Sequence, residues 1–334
     1  MIAQPNEVTA LLSVDGVVKD YRVRRQSMEH SLRAVDEVTF SCERAETVGI
    51  VGESGCGKTT VGRLVAGLIR PTAGTVVVRS VNGSGASVPT SRSAGVQMVY
   101  QSPLESLDRR MRIGASVGEP LRHMVRLERR EAIHTALAGV GLTADHARKY
   151  PHELSGGQQQ RACIARALIA SPSVVVLDEA VSSLDVLLQR EVLALLVELQ
   201  ANTGVAYVFI SHDFAAVAAL STRVLVMYLG RVVEALPAYE LSQALLHPYS
   251  IALQSAQLRP RPDGTRAKPI ILRGDPPSAI GKIQGCRFAS RCPLADDRCR
   301  KEEPTLTEFT ANHLAACYYP GALIPDELDT WATT

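Results

Sequence analysis

The chain has 334 residues, 46% of them hydrophobic and 21% charged, with a formal net charge of +2. This is enough sequence for one large domain with a substantial core and a smaller one beside it, at the composition of an ordinary globular protein. The near-balanced charge gives no ground for a nucleic-acid partner, and no apolar run is long enough to cross a bilayer.

In chain order, the opening "MIAQPNEVTALLSVDGVV" lacks the basic segment and apolar run of a signal peptide, so the expected location is the cytoplasm. There the seven cysteines are not expected to form structural disulfides. The run "TVGIVG" reads as a buried strand and "TTVGRLVAGLI" as the helix after it. The segment 79–95, rich in Gly and Ser, reads as a flexible surface connection. From Gln101 to Pro151 strand signals fade and the pattern is helical, as expected of an inserted helical subdomain at about 102–170. Further helices are expected at "QQQRACIARALIA" and "QREVLALLVELQ", and further strands at "SVVVLDE", "YVFISH" and "VLVMYLG". Strands alternating with helices predict an α/β layered fold around a largely parallel sheet. After about Ala235 the clusters "RPRPDG" and "GDPPSAIGK" mark a linker before a cysteine-rich tail. The expected division is therefore residues 1–235 and 236–334.

Chemistry concentrates at three places. "GESGCGKTT", Gly52 to Thr60, fits G-x-x-x-x-G-K-[ST] between a strand and a helix. Backbone N–H groups across Gly52, Ser54, Gly55, Cys56, Gly57 and Thr60 would cradle phosphate oxygens, aided by the helix N-terminus. Lys58 would reach the β and γ phosphates, and the Thr59 hydroxyl would hold Mg²⁺. A Gly-rich turn that fits by accident is the bland reading, and the strand–loop–helix context tells against it. Next, "SVVVLDE" ends a strand in Asp178, suited to Mg²⁺, followed by Glu179, which can polarise an attacking water. Finally, Ser155, Gly156, Gly157 and Gln158 open a helix and make a second phosphate-ready N-terminus. One nucleotide rarely needs two such sites, so a head-to-tail dimer is expected, each subunit capping the nucleotide held by the other.

"GESGCGKTT", "LSGGQQQR", "VVVLDE", "SSLD" and "ISHD" together resemble, in order and spacing, the nucleotide-binding subunits of ABC transporters, over roughly Asp15 to Glu234. The resemblance implies a P-loop RecA-like core with an antiparallel β subdomain and an inserted helical subdomain. It implies ATP and Mg²⁺ as ligands, Gln101 as a sensor of γ-phosphate, Mg²⁺ and the membrane partner, and Asp185 as a link between the two sites. It also implies His212 as a contact to γ-phosphate and Tyr21 as the aromatic that stacks on adenine, although an isolated aromatic is more often packing. No core motif is degenerate, so hydrolysis is expected.

The tail carries Cys286, Cys292, Cys299 and Cys317, separated by five, six and seventeen residues. No pair is C-x-x-C, but four thiolates in one short segment suit Zn²⁺ or an iron–sulfur cluster. His313 is read as an exposed, solvated histidine and at most a substitute ligand. "HPYSIALQSA", "GDPPSAI", "GCRFASRCPLADDRC" and "HLAAC" are similar to the C-terminal extension of oligopeptide/dipeptide importer ATPases, some of which carry a [4Fe–4S] cluster there. "VYQSPLESLDRR" resembles the same group, with departures at Ser102 and Arg109. The resemblance implies peptide import at the cytoplasmic face of the membrane. Its implied partners are a second, related ATPase chain, two permease subunits and an extracytoplasmic binding protein. Nickel or another small solute is the alternative cargo. A soluble ATPase of translation or repair is disfavoured by the single cassette without a coiled-coil insertion, and a non-enzymatic regulatory subunit by intact Glu179 and His212.

Overall fold

A computed structural model describes residues 10–25, 28–79, 88–89, 95–257, 270, 272, 274, 277, 281 and 283–322. Most of the Gly/Ser-rich connection at 79–95 and the Pro-rich cluster at 259–264 lie outside the described residues.

The chain begins with a long antiparallel pair, β1 (Leu12–Arg25) and β2 (Met28–Cys42), then β3 (Thr47–Val51) and α1 (Lys58–Val65). Next come β4 (Ala73–Val78), β5 (Val88–Pro89) and β6 (Val96–Val99). The stretch that follows is helical, as its sequence predicts: α2 (Pro103–Ser106), α3 (Ile113–Val117), α4 (Arg126–Gly139) and α5 (Gly156–Leu168). The chain continues through β7 (Val174–Asp178), α6 (Val186–Thr203), β8 (Ala206–Ile210), α7 (Phe214–Leu220), β9 (Arg223–Tyr228) and β10 (Arg231–Pro237). The tail supplies α8 (Pro248–Ser255), α9 (Asp297–Lys301), β11 (Thr307–Thr310) and β12 (His313–Ala315).

Two sheets result. One is antiparallel, in the order β2-β1-β4-β5; the other runs β11-β12-β10-β9-β3-β8-β7-β6 and is parallel from β6 through β9. Strands β3, β7 and β8 are buried at every position, which is why they read as unbroken apolar runs rather than alternations. Their side chains still alternate between faces. Val175, Leu177, Tyr207 and Phe209 join the core that holds Leu107, Ile113 and Leu137 of the helical stretch. Val174, Val176, Val208 and Ile210 face a second core with Val14, Val38 and Phe40 of the antiparallel sheet and Val61 and Leu64 of α1. The central sheet is thus covered on both sides, and the loops at the C-terminal ends of its parallel strands are left to carry chemistry.

The tail extends this sheet: β12 pairs antiparallel with β10, setting Ala315 opposite Glu234 and Leu314 opposite Ala235. Phe288 packs within 5.4 Å of the Tyr228 ring and 5.5 Å of the Tyr249 ring, and the two tyrosine rings lie 4.6 Å apart. One expectation is overturned here. His313 is buried, at 1% exposure, and not solvated: its Nε2 meets Glu234 at 2.7 Å and its Nδ1 meets Glu240 at 2.7 Å. The cause is the docking of β12 on β10, a pairing across the chain that local composition does not reveal. Among the described residues no helix is long and apolar enough to cross a membrane.

A candidate phosphate-binding and hydrolysis site

The phosphate loop lies between β3 and α1, and its backbone explains its glycines. Gly52, Gly55 and Gly57 all have positive φ. A Cβ at Gly57 would meet the Ala34 carbonyl oxygen at 2.3 Å, and one at Gly52 the Met227 carbonyl oxygen at 2.3 Å, so neither place admits a side chain. Lys58 is the first residue of α1 and is buried, at 6% exposure. Its ammonium donates to the carbonyls of Gly52 at 2.8 Å and Glu53 at 2.9 Å, and lies 3.9 Å from the Cys56 sulfur. The next residue, Thr59, donates its hydroxyl to Asp178 Oδ1 at 3.1 Å. Ser54 and Thr60 flank this geometry within the same loop and first turn.

Asp178 closes β7, the strand next to β8, and is largely buried. Burial pushes its carboxyl up from the ordinary carboxylate range; the Thr59 hydrogen bond opposes this, and the Glu179 charge adds to it. A divalent cation reverses such a shift, since it favours the ionised carboxylate. The pairing of a buried carboxylate with a hydroxyl suits Mg²⁺, a hard ion with oxygen ligands. Glu179 follows in a left-handed conformation, φ 50°, uncommon for a non-glycine residue and typical of strained functional positions. Its N–H donates to the Ile210 carbonyl at 2.9 Å, which anchors it across β8. The turn swings its carboxylate to His212, whose Nδ1 stands 3.0 Å from Oε2. The structure therefore sets Lys58 against the loop carbonyls, Thr59 against Asp178, and Glu179 against His212.

The other predicted residues sit apart from this set. Ser155 caps α5: its hydroxyl accepts from the Gln158 N–H at 3.3 Å, and the Gln158 amide oxygen accepts from the Ser155 N–H at 3.1 Å. Gly156 is exposed and Gly157 buried, and among the described residues no hydrogen bond joins this cap to the phosphate loop. Asp185 caps α6 by accepting from Leu187 N–H and Leu188 N–H. Asp213 likewise caps α7 and takes a hydrogen bond from Gln189 at 2.9 Å. Gln101 lies exposed just after β6, and Tyr21 is half-buried in β1 with the Lys19 ammonium 5.3 Å over its ring.

Residues that sequence reasoning passed over also reach the loop. Glu53 is gripped by the tail: Arg291 pairs with its carboxylate at 2.8 and 3.2 Å, and the Tyr249 hydroxyl accepts its N–H at 2.7 Å. Gln257 donates to the His212 carbonyl at 2.9 Å. The adjacency of Arg287 and Arg291 to Cys286 and Cys292 was visible in the sequence, but nothing in it names Glu53 as a partner.

The four tail cysteines are free thiols lining one cavity of about 10 Å³, together with Phe288, Pro304 and Tyr319. Burial raises the thiols, to about 12 for Cys292 and about 11 for Cys317. Their soft sulfur donors suit a metal in kind. In placement, no group of three or more His, Cys, Asp or Glu side chains among the described residues is arranged to hold an ion.

Known proteins match the chain over most of its length. Residues 35–182 match the family described as ABC transporter, and residues 233–299 match the oligopeptide/dipeptide transporter, C-terminal region. A probable peptide ABC transporter ATP-binding protein of Sinorhizobium fredii is 43% identical over 318 residues, spanning 92% of this chain and 90% of that protein. The dipeptide transport ATP-binding protein DppF of Haemophilus influenzae is 40% identical over 326 residues, spanning 96% and 99%. The oligopeptide transport ATP-binding protein OppF of Escherichia coli is 43% identical over 313 residues, spanning 92% and 93%. Among solved structures, cbiO1 from Clostridium perfringens, part of the ABC transporter complex cbiONQ, has a TM-score of 0.60 at 25% identity, covering 70% of this chain and 90% of that one. The expected α/β cassette is thus the fold, and the chain belongs to the ABC transporter family, among the ATP-binding proteins of its oligopeptide/dipeptide group.

Proposed function

We propose that this chain hydrolyses ATP to energise peptide import, working at the cytoplasmic face of the membrane. Its partners in this reading are two permease subunits, a second related ATPase chain and an extracytoplasmic binding protein. The observation that carries it is the convergence of Lys58, Thr59 and Asp178 at the phosphate loop with the Glu179–His212 pair beside them. In this reading Gly52 to Thr60 cradle the phosphates, and Lys58 leaves the carbonyls of Gly52 and Glu53 for the β and γ phosphates. Thr59, Asp178 and Gln101 hold Mg²⁺, which would neutralise charge on the phosphate oxygens. Glu179 takes a proton from the attacking water, and His212 orients Glu179 and contacts the γ-phosphate. Tyr21 stacks on adenine. Ser155, Gly156, Gly157 and Gln158 face the partner's nucleotide, and Asp185 lies at the seam between the sites. Because ATP binds the closed dimer more tightly than the open one, nucleotide can shift the equilibrium that the permeases follow.

The test is ATP hydrolysis by the complete transporter in membranes, with and without peptide-loaded binding protein. Hydrolysis should rise with loaded binding protein and vanish in Lys58→Ala. Turnover that ignores peptide but answers to nickel or another solute would replace the cargo assignment. For the tail, the finer proposal is a [4Fe–4S] cluster, or Zn²⁺, on Cys286, Cys292, Cys299 and Cys317. Its support is the soft donor chemistry of four thiols on one cavity wall, and binding would require them to draw together from their present placement. Iron, zinc and sulfide analysis of anaerobically purified full-length chain decides it, and folded but metal-free protein would refute it.

A further inference from the structure

We propose that Arg291 is a positioning residue for the phosphate loop, so that the cysteine-rich tail sets how firmly the loop grips nucleotide. The inference rests on the loop being a nucleotide site. It starts from Glu53, the second residue of the loop, every polar group of which is engaged. Its carbonyl accepts from Lys58 at 2.9 Å and its N–H donates to the Tyr249 hydroxyl at 2.7 Å. Its two carboxylate oxygens take one bond each from the Arg291 guanidinium, at 2.8 and 3.2 Å. The Arg291 side chain is 7% exposed. Such a forked pair fixes direction as well as distance, with the guanidinium buried and the Glu53 carboxylate partly exposed.

A second arginine of the same segment braces the other side. Arg287 donates to the Leu229 carbonyl and to Asp36. The adjacent Gly230 N–H donates to the Cys56 carbonyl at 2.8 Å, inside the loop. Between the two arginines, Phe288 is wedged against Tyr228 and Tyr249, so the segment from Cys286 to Cys292 is held as a strut and does not trail over the surface. The loop needs such bracing. Three glycines with positive φ give it wide conformational freedom, and binding must otherwise restrict that freedom each time. A loop already held at Glu53 offers its amides and Lys58 in place.

The test measures ATP affinity of the full-length chain and KM and kcat of the assembled transporter. The variants are Arg291→Ala, Arg291→Lys, Glu53→Gln and the double Arg291→Ala/Glu53→Gln. Loss of positioning should weaken ATP binding and raise KM on the order of tenfold while kcat stays within about twofold. Arg291→Lys should recover only part of the loss, because an ammonium restores charge but not the fork. The double variant should be no worse than the more severe single, within about twofold, since both remove one shared interaction. Unchanged ATP affinity in folded Arg291→Ala overturns the proposal, and so does a lower melting temperature with KM unmoved, the mark of a purely structural contact. If Arg291→Ala does not fold, Glu53→Gln decides alone, because it leaves every tail residue in place; unchanged affinity there overturns the proposal as well. A parent chain that binds no ATP would instead remove the nucleotide reading itself.

Discussion

Acid should weaken this fold through His247, which is buried at 1% exposure and caps the N-terminus of α8. Its Nδ1 accepts the Tyr249 N–H at 3.1 Å, so the ring is neutral with its proton on Nε2. Burial holds off the charged form and pulls the ring from its ordinary 6.5 to about 4, with the Glu234 carboxylate opposing in part. In the unfolded chain the ring takes a proton near pH 6.5; in the folded chain it does not until about pH 4. The unfolded state therefore binds more protons across that window, and stability falls as pH is lowered. At about 1.4 kcal/mol per unit, the loss between pH 6.5 and 5 is about 2 kcal/mol, or about 3 °C in melting temperature for a chain of 334 residues. His313 acts in the opposite sense. Burial lowers it, but its bonds to Glu234 and Glu240 raise it overall, so its contribution is present below pH 6.5 and is lost as pH rises through its folded value. His247→Asn separates the two, because Asn keeps a capping acceptor and does not titrate. Urea midpoints of parent and variant at pH 7, 6 and 5 give the comparison. The variant should gain on the parent by about 2 kcal/mol on going from pH 7 to 5. Identical pH slopes in two folded proteins would refute the reasoning.

Three further outcomes follow from named contacts. Glu179→Gln should lower phosphate release by the assembled transporter about 10²–10⁴-fold with ATP binding retained, and unchanged turnover would remove the general-base role. Asp185→Ala removes the acceptor for Leu187 N–H and Leu188 N–H at the start of α6 and should cost about 1 kcal/mol of stability by denaturant titration. Glu234→Ala strands the N–H groups of Leu246 and His247 and the Nε2 of His313 in the core; it should cost about 3–5 kcal/mol, and a loss under about 1 kcal/mol would show the cluster to be incidental.

Much of the candidate site was legible because its signals are local. The apolar run of β3, the glycines after it and the helix opening at Lys58 are neighbours in sequence, and positive φ at Gly52, Gly55 and Gly57 is a property the residue type announces. The Asp178–Glu179 pair was equally plain, but its geometry was not. Alternation along a strand predicts opposite faces, whereas Glu179 leaves the strand in a left-handed turn that brings it to His212. That turn is held by the Ile210 carbonyl of the adjacent strand, a partner that no spacing rule picks out.

What stayed hidden depends on the tail coming back. Tyr249 and Arg291 reach Glu53 across sequence separations of 196 and 238 residues, and His313 reaches Glu234 across 79. Periodicity and capping rules act within a few turns of chain and carry no information at that range. Read locally, His313 is therefore expected to be solvated, and Arg291 draws no notice, arginine being a residue type that is mostly exposed. The structure buries both, and for one physical reason: β12 extends the sheet beyond β10 and Phe288 seats among buried aromatics, so the polar groups carried with them must find partners inside. The partners they find are Glu234 beneath α8 and Glu53 in the phosphate loop. A segment whose cysteines are remote in sequence from every phosphate-binding motif is therefore, in space, part of the wall against which the phosphate loop rests.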